Sequence, residues 1–229
     1  MDIVLVPGLW LNASTWDDVV PLLEQAGHRA HPLTLPGMES KDADRAGITL
    51  ADHVAAVVEA IDSAEGKVLL VSHSAGCGIA HAATDARPDK VARQVHVGGF
   101  PSADGDNLLG LEAENGEVQM PDWKEMGEDA NVKDFSEEQL ARFYADAVPV
   151  PERVIKDPVQ LSDERRYDVP VTEICPEYSV AELEEWMKGG HLPELEKIKD
   201  KEYVDIGGGH WPQLTQPKSL AEAILDAAR

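Results

Sequence analysis

The chain has 229 residues, of which 43% are hydrophobic and 28% charged. That is a globular composition with room for one buried core and too little chain for two ordinary α/β domains. Lys and Arg total 20 against 43 Asp and Glu, and the resulting net charge of −23 argues against charge-driven binding to nucleic acid or an anionic membrane.

No apolar run nears the roughly 20 residues that span a bilayer. The chain starts on strand-like residues without a basic segment or a cleavage pattern, so the cytoplasm is the expected location. Cys77 and Cys175 are too few for a disulfide framework or a metal cluster and read as buried, reduced thiols. Acidic residues gather at 112–138 and 182–196, which read as solvated faces; a saline habitat would favour the same composition.

In chain order, β-branched apolar segments predict strands at 3–6, 29–35, 68–72, 94–98 and 171–175, with a weaker one at 202–206. Between them, Trp16, Val19, Val20 and Leu23 share one face of a helix expected over 15–26. Leu50, Val54, Val57, Val58 and Ile61 do the same over 48–64, and further helices are expected over 79–86 and 220–228. This alternation implies a doubly wound, mostly parallel sheet with helices on both faces.

The stretch 101–168 breaks the rhythm. It is acidic and proline-rich, and its clearest signal is a helix over 136–147 opened by the capping-box pattern of Ser136 and Gln139. So long a connection is not expected to be structureless and reads as a small helical lid inserted into a single domain, over the sheet's carboxyl edge.

The segment "VLLVSHSAGCG" drives an apolar strand into a small-residue turn with Ser74 at its apex. A serine hydroxyl needs a neighbouring base to become a nucleophile, and a sharp strand-to-helix turn would thrust it toward substrate. Such a turn requires small residues two positions to either side, here Ser72 and Gly76. The bland alternative is a serine hydrogen-bonded within an ordinary bend.

"VLVPGLWLNASTWDDVVPLLEQAGHRAHPLTLPG", "VLLVSHSAGCGIA" and "GGGHWP", in this order, resemble the α/β-hydrolase superfamily, most of all its small esterase and hydroxynitrile-lyase-like branch. The resemblance covers residues 1 to about 98 and 169 to 229, and the lid carries almost none of it. By that match His210 is the general base, on a loop after the last strand; its glycine-rich turn at a strand's end suits the role. The same match makes the Ala75 and Leu9 backbone N–H groups the oxyanion donors. Pro7 stands where many relatives carry histidine.

The triad acid is expected after the fifth strand, where relatives usually have aspartate and this chain offers Glu177. Asp104, in the loop after the preceding strand, is the main competitor, and Glu173 within the strand is a weaker one. His28, His31, His53, His81, His96 and His191 read as surface or helix-packing residues, and His73 should point away from the reacting group.

The first functional reading is a serine hydrolase acting on a small carboxylic ester. Trp10, Trp211 and Trp123 would supply apolar walls, helped by Met120, Phe135 and Phe143. A lyase on the same scaffold would need a helping lysine or threonine, and Lys67 sits at the far end of the elbow strand. A ligand-binding protein that kept the fold without catalysis is the third reading. No metal-ligand spacing or nucleotide-binding glycine pattern is present, so no cofactor is expected.

Overall fold

A computed structural model describes all 229 residues. Its centre is a six-stranded sheet made of β1 (Asp2–Val6), β2 (Arg29–Pro32), β3 (Val68–His73), β4 (Val91–Val97), β7 (Val171–Cys175) and β8 (Lys201–Asp205). Every pairing in it is parallel, in the order β2-β1-β3-β4-β7-β8. All residues of β1, β3 and β7 are buried, because helices cover both faces; this is why their sequences are nearly continuous apolar runs.

One face packs on α1 (Val20–Gln25) and α9 (Pro217–Ala227) through Ile3, Leu5, Leu69, Val71, Val95 and Ile174. On the other, Val4, Val6, Val68 and Leu70 meet α2 (Leu50–Ser63), α3 (Gly76–Ala86) and part of the insertion. The chain runs from β1 outward to β2, then crosses back to place β3 on β1's other side. The loops after β1 and β3 therefore diverge and leave a crevice at the carboxyl edge between them, the usual ligand position in such sheets.

The expected helix over 15–26 is instead a 3-10 turn, Ala13–Trp16, capped by Asn12, followed by α1. Pro21 is the reason: it lacks an N–H and is tolerated only in a first turn, so the helix begins around it. Strand β2 ends at Pro32 rather than 35, before the chain turns through Gly37 at φ 78°. The helix expected over 79–86 begins three residues earlier, with Gly76, Cys77 and Gly78 in the first turn of α3.

The segment 182–196 is not simply a solvated face. It holds α6 (Val180–Lys188), begun by a capping box between Ser179 and Glu182, and α7 (Pro193–Lys197). Glu194 in this run is only 2% exposed.

The insertion carries α4 (Glu137–Asp146), started by the Ser136–Gln139 capping box, and the short α5 (Glu152–Lys156). It also contains an antiparallel pair unforeseen from sequence, β5 (Glu117–Val118) with β6 (Val150–Pro151). The short α8 (Pro212–Thr215) precedes α9. No helix is long and apolar enough to cross a membrane.

Candidate active site

Strand β3 ends at His73, and Ser74 turns the chain at φ 54° before Ala75 caps α3. A left-handed conformation costs a non-glycine residue on the order of 1–3 kcal/mol and persists only where its surroundings enforce it. Here the Ser74 N–H donates to Val97 O at 2.9 Å and the Cys77 N–H donates to Ser74 O at 2.9 Å. Glycines let neighbouring loops close on the bend: a Cβ on Gly76 would lie 2.4 Å from Pro7 O, and one on Gly99 would lie 2.2 Å from Ser74 O.

The Ser74 hydroxyl lies 2.8 Å from His210 Nε2, and His210 Nδ1 lies 2.5 Å from Glu177 Oε1. A carboxylate only accepts, so Nδ1 carries the proton donated to Glu177 and Nε2 is free to accept from Ser74. The residues come from three loops at the carboxyl edge, those after β3, β7 and β8. Gly98, at φ 59°, makes room for the pair, since a Cβ there would stand 3.3 Å from both Glu177 Oε2 and His210 Nδ1. The side chains of His210 and Glu177 keep 14% and 17% exposure, so the chain of bonds is largely buried without being sealed from solvent.

His73 does not reach the reacting hydroxyl, but it is not idle. Its buried ring donates from Nε2 to the carbonyl oxygen of His210 at 2.8 Å, and its centroid lies 5.0 Å from the His210 ring. Burial, with His210 adding to it, pushes the His73 pKa down to about 3. Trp211 stands edge-on to His210, centroids 4.8 Å apart. Sequence reasoning missed His73's support because the acceptor is a main-chain oxygen 137 residues away.

The Leu9 and Ala75 N–H groups donate to no acceptor within the protein, and both flank the crevice between β1 and β3. Trp10, next to Leu9, has φ 63°; its indole Nε1 donates to Val118 O at 3.0 Å, and its carbonyl accepts from the Val148 N–H at 2.9 Å.

Several sequence candidates fall elsewhere. Asp104 accepts from the Leu161 N–H at 2.8 Å, an exposed tie within the insertion, and makes no bond to His210. Glu173 points under α3 and meets His96 Nδ1 at 2.7 Å with neither side chain exposed. Burial raises the Glu173 carboxyl pKa, opposed by His96. Lys67 is exposed and precedes β3 at the edge opposite Ser74.

His81, like His96, is neither a surface nor a simple helix-packing residue. Its Nε2 lies 3.2 Å from Glu194 Oε2, which also accepts from Arg166 Nε at 3.2 Å, while Oε1 accepts from Tyr167 and Lys197 at 2.9 and 3.0 Å. Burial alone would raise the Glu194 carboxyl, yet its bonds to His81, Lys197, Tyr167 and Arg166 hold it well below the usual carboxylate range. Both cysteines are free and buried, and burial pushes the Cys175 thiol up to about 12.

Trp211 is 2% exposed and packs on Phe143 at 4.7 Å and Trp123 at 5.4 Å between ring centroids; Trp10 meets Trp123 at 5.7 Å. The three tryptophans thus join the insertion to the loops carrying Leu9 and His210. A void of about 10 Å³ behind Gly8 and Leu9 is bounded by Leu35, Met38, Ile79 and Val150, and a groove of about 410 Å³ runs from Trp10 along Phe135 and Phe143. A separate hollow of about 1030 Å³ lies between α2, α3 and residues 157–162 and includes none of these groups.

Residues 3–223 match the model of the Alpha/beta hydrolase family. A pyrethroid hydrolase of Sphingobium wenxiniae is 31% identical over 105 residues, 45% of this chain and 38% of that protein, so the match spans well under half of the relative's length. Among solved structures, an extracellular alpha/beta-hydrolase from a Paenibacillus species, described as sharing structural and functional homology with tobacco salicylic acid binding protein 2, superposes with a TM-score of 0.80 at 22% identity; 99% of this chain and 98% of that one are covered. A pyrethroid hydrolase from Sphingobium faniae gives a TM-score of 0.75 at 22% identity, covering 100% and 97%. An Arabidopsis methylesterase gives 0.78 at 17% identity, covering 100% and 98%. These likenesses are of fold, and with the family match over nearly its whole length they establish that the chain belongs to the alpha/beta hydrolase family.

Proposed function

We propose that this protein is a serine esterase that cleaves a small carboxylic ester through an acyl-enzyme on Ser74. The observation that carries the reading is the unbroken chain of hydrogen bonds from Glu177 through His210 to a serine held at φ 54°. His210 Nε2 takes the hydroxyl proton as Ser74 Oγ bonds to the ester carbonyl carbon. Glu177 fixes the tautomer and stabilises the imidazolium that forms. The carbonyl oxygen becomes an oxyanion that the free Leu9 and Ala75 amides receive, an effect often worth about 3–4 kcal/mol per donor.

Collapse breaks the bond to the alkoxy group, which leaves with the proton from His210. Water then enters, gives a proton to His210, attacks the acyl carbon and releases the carboxylic acid, returning the proton to Ser74. The insertion over 101–168 acts as the lid that limits substrate size, with Trp10, Trp123 and Trp211 as its apolar contact with the site. The relatives named as pyrethroid hydrolase and methylesterase support ester cleavage as the reaction class.

The test is turnover of short 4-nitrophenyl esters by the wild type, Ser74→Ala and His210→Ala. The reading expects a loss of about 10³-fold or more in each variant and stoichiometric labelling of Ser74 by a fluorophosphonate. Full activity in either variant would overturn it.

A further inference from the structure

The turn before His210 carries three consecutive glycines, more than a reversal of direction requires. A residue of the insertion accounts for one of them and crowds a second. A Cβ on Gly209 would stand 2.2 Å from Asp134 Oδ1 and 2.6 Å from Asn131 O; one on Gly208 would stand 3.1 Å from Asp134 Oδ2 and 2.1 Å from Gln216 Nε2. Asp134 fills that space to make bonds: its Oδ2 accepts from the Gly209 N–H at 2.9 Å and from the Thr215 hydroxyl at 2.8 Å. The next amide, that of His210 itself, donates to Asn131 O at 2.8 Å. Two successive donors of the base-bearing loop therefore end on the insertion, while His73 holds the His210 carbonyl from the sheet side.

The glycines alone would not hold an imidazole still. Gly207 at φ 61° and Gly208 at φ 133° sit where backbone freedom is greatest. A general base displaced by about 1 Å loses on the order of a hundredfold in rate.

We propose that Asp134 is a positioning residue for His210, and that docking of the insertion through Asp134 and Asn131 is the condition for an aligned base. The inference rests on the reading of His210 as general base. It makes the lid a regulator of the chemistry as well as a limit on substrate size: lifting the 131–134 segment releases the Gly209 and His210 amides together and uncouples the base from Ser74.

The experiment compares Asp134→Ala, Asp134→Asn and Ser136→Ala with the wild type. Ser136→Ala removes the cap of α4 in the same insertion without touching the base loop. Three readouts are needed: kcat and KM on 4-nitrophenyl acetate, Tm, and hydrogen exchange of amides 207–211. Asp134→Ala is expected to lower kcat about tenfold with KM within twofold, and to speed exchange of the Gly209 and His210 amides. Asp134→Asn, whose amide oxygen still accepts from Gly209, recovers most of the rate. Ser136→Ala lowers Tm and leaves both kcat and the 207–211 exchange unchanged.

A wild-type kcat in Asp134→Ala, unchanged exchange at 207–211, or an equal kcat loss in Ser136→Ala overturns the proposal. Its failure is distinct from failure of the esterase reading, which would appear as a wild type with no turnover and no labelling of Ser74.

Discussion

His73 should make the protein acid-sensitive by an amount that one substitution can isolate. The ring is fully buried, its Nε2–H is committed to the His210 carbonyl, and its Nδ1 has no partner. Gly8 closes on that nitrogen: a Cβ there would be 2.6 Å away. A proton on Nδ1 would be a charge without an acceptor, and burial accordingly lowers the pKa from 6.5 to about 3. In the unfolded chain the same histidine protonates at its ordinary value. Between those limits the unfolded state binds the extra proton, so His73's contribution is complete above pH 6.5 and is lost as pH falls.

The slope is about 1.4 kcal/mol per pH unit, or about 3 kcal/mol by roughly pH 4.5. For a domain of this size that corresponds to a Tm shift on the order of 10 °C. His73→Gln retains an N–H for the His210 carbonyl and cannot titrate. Urea unfolding of both proteins at a series of pH values from about 7.5 to 4.5 measures the effect. The stability gap between wild type and variant should narrow by about 3 kcal/mol across the series. A gap that stays constant with pH would show that the folded state accepts the proton at no cost, and the reasoning from burial would be wrong.

Three further outcomes are expected. Glu177→Gln should lower kcat by about 10³- to 10⁴-fold by favouring the wrong imidazole tautomer, and Glu177→Asp should lose less; steady-state kinetics decide both. Glu194→Gln removes the carboxylate that joins His81, Arg166, Tyr167 and Lys197, and should cost about 3 kcal/mol in denaturant unfolding because it leaves Arg166 less well paired in the interior. That network's contribution is full above the ordinary carboxylate range and declines as pH falls through it, since Glu194 is held low in the fold. Gly76→Ala drives a Cβ against Pro7 O, a backbone atom in the Leu9 loop, and should cut ester turnover at least a hundredfold with a lowered Tm.

The sheet was legible because strands buried on both faces write themselves as unbroken β-branched runs, as in β1, β3 and β7. The bend at Ser74 was legible from the small residues it demands, while Glu177, which meets His210, was reached only through the residue order that the superfamily resemblance implies, with Asp104 and Glu173 still open. What stayed hidden depends on distance along the chain. Asp134 lies 75 residues before the glycine it holds, in a stretch whose charges look like any solvated face. Glu194 belongs to another such stretch, yet its partners His81 and Arg166 come from 113 and 28 residues away. Acidic composition says how many carboxylates there are; only packing says which of them find cations and amides.

Trp10 clasps both ends of one segment, its indole holding Val118 and its carbonyl holding Val148. Residues 119–147 thus leave and rejoin the body of the protein at a single residue, next to Leu9. Such a cassette is open to exchange by recombination, because its two splice points already touch a common clasp and the sheet is threaded elsewhere. A transplanted cassette would bring new walls for a different ester, but on the role proposed for Asp134 it would turn over about tenfold more slowly unless it also delivered an acceptor oxygen to the Gly209 N–H. On the role proposed for Asp134, exchange of this cassette is constrained at one small hook more than across the surface that meets the substrate.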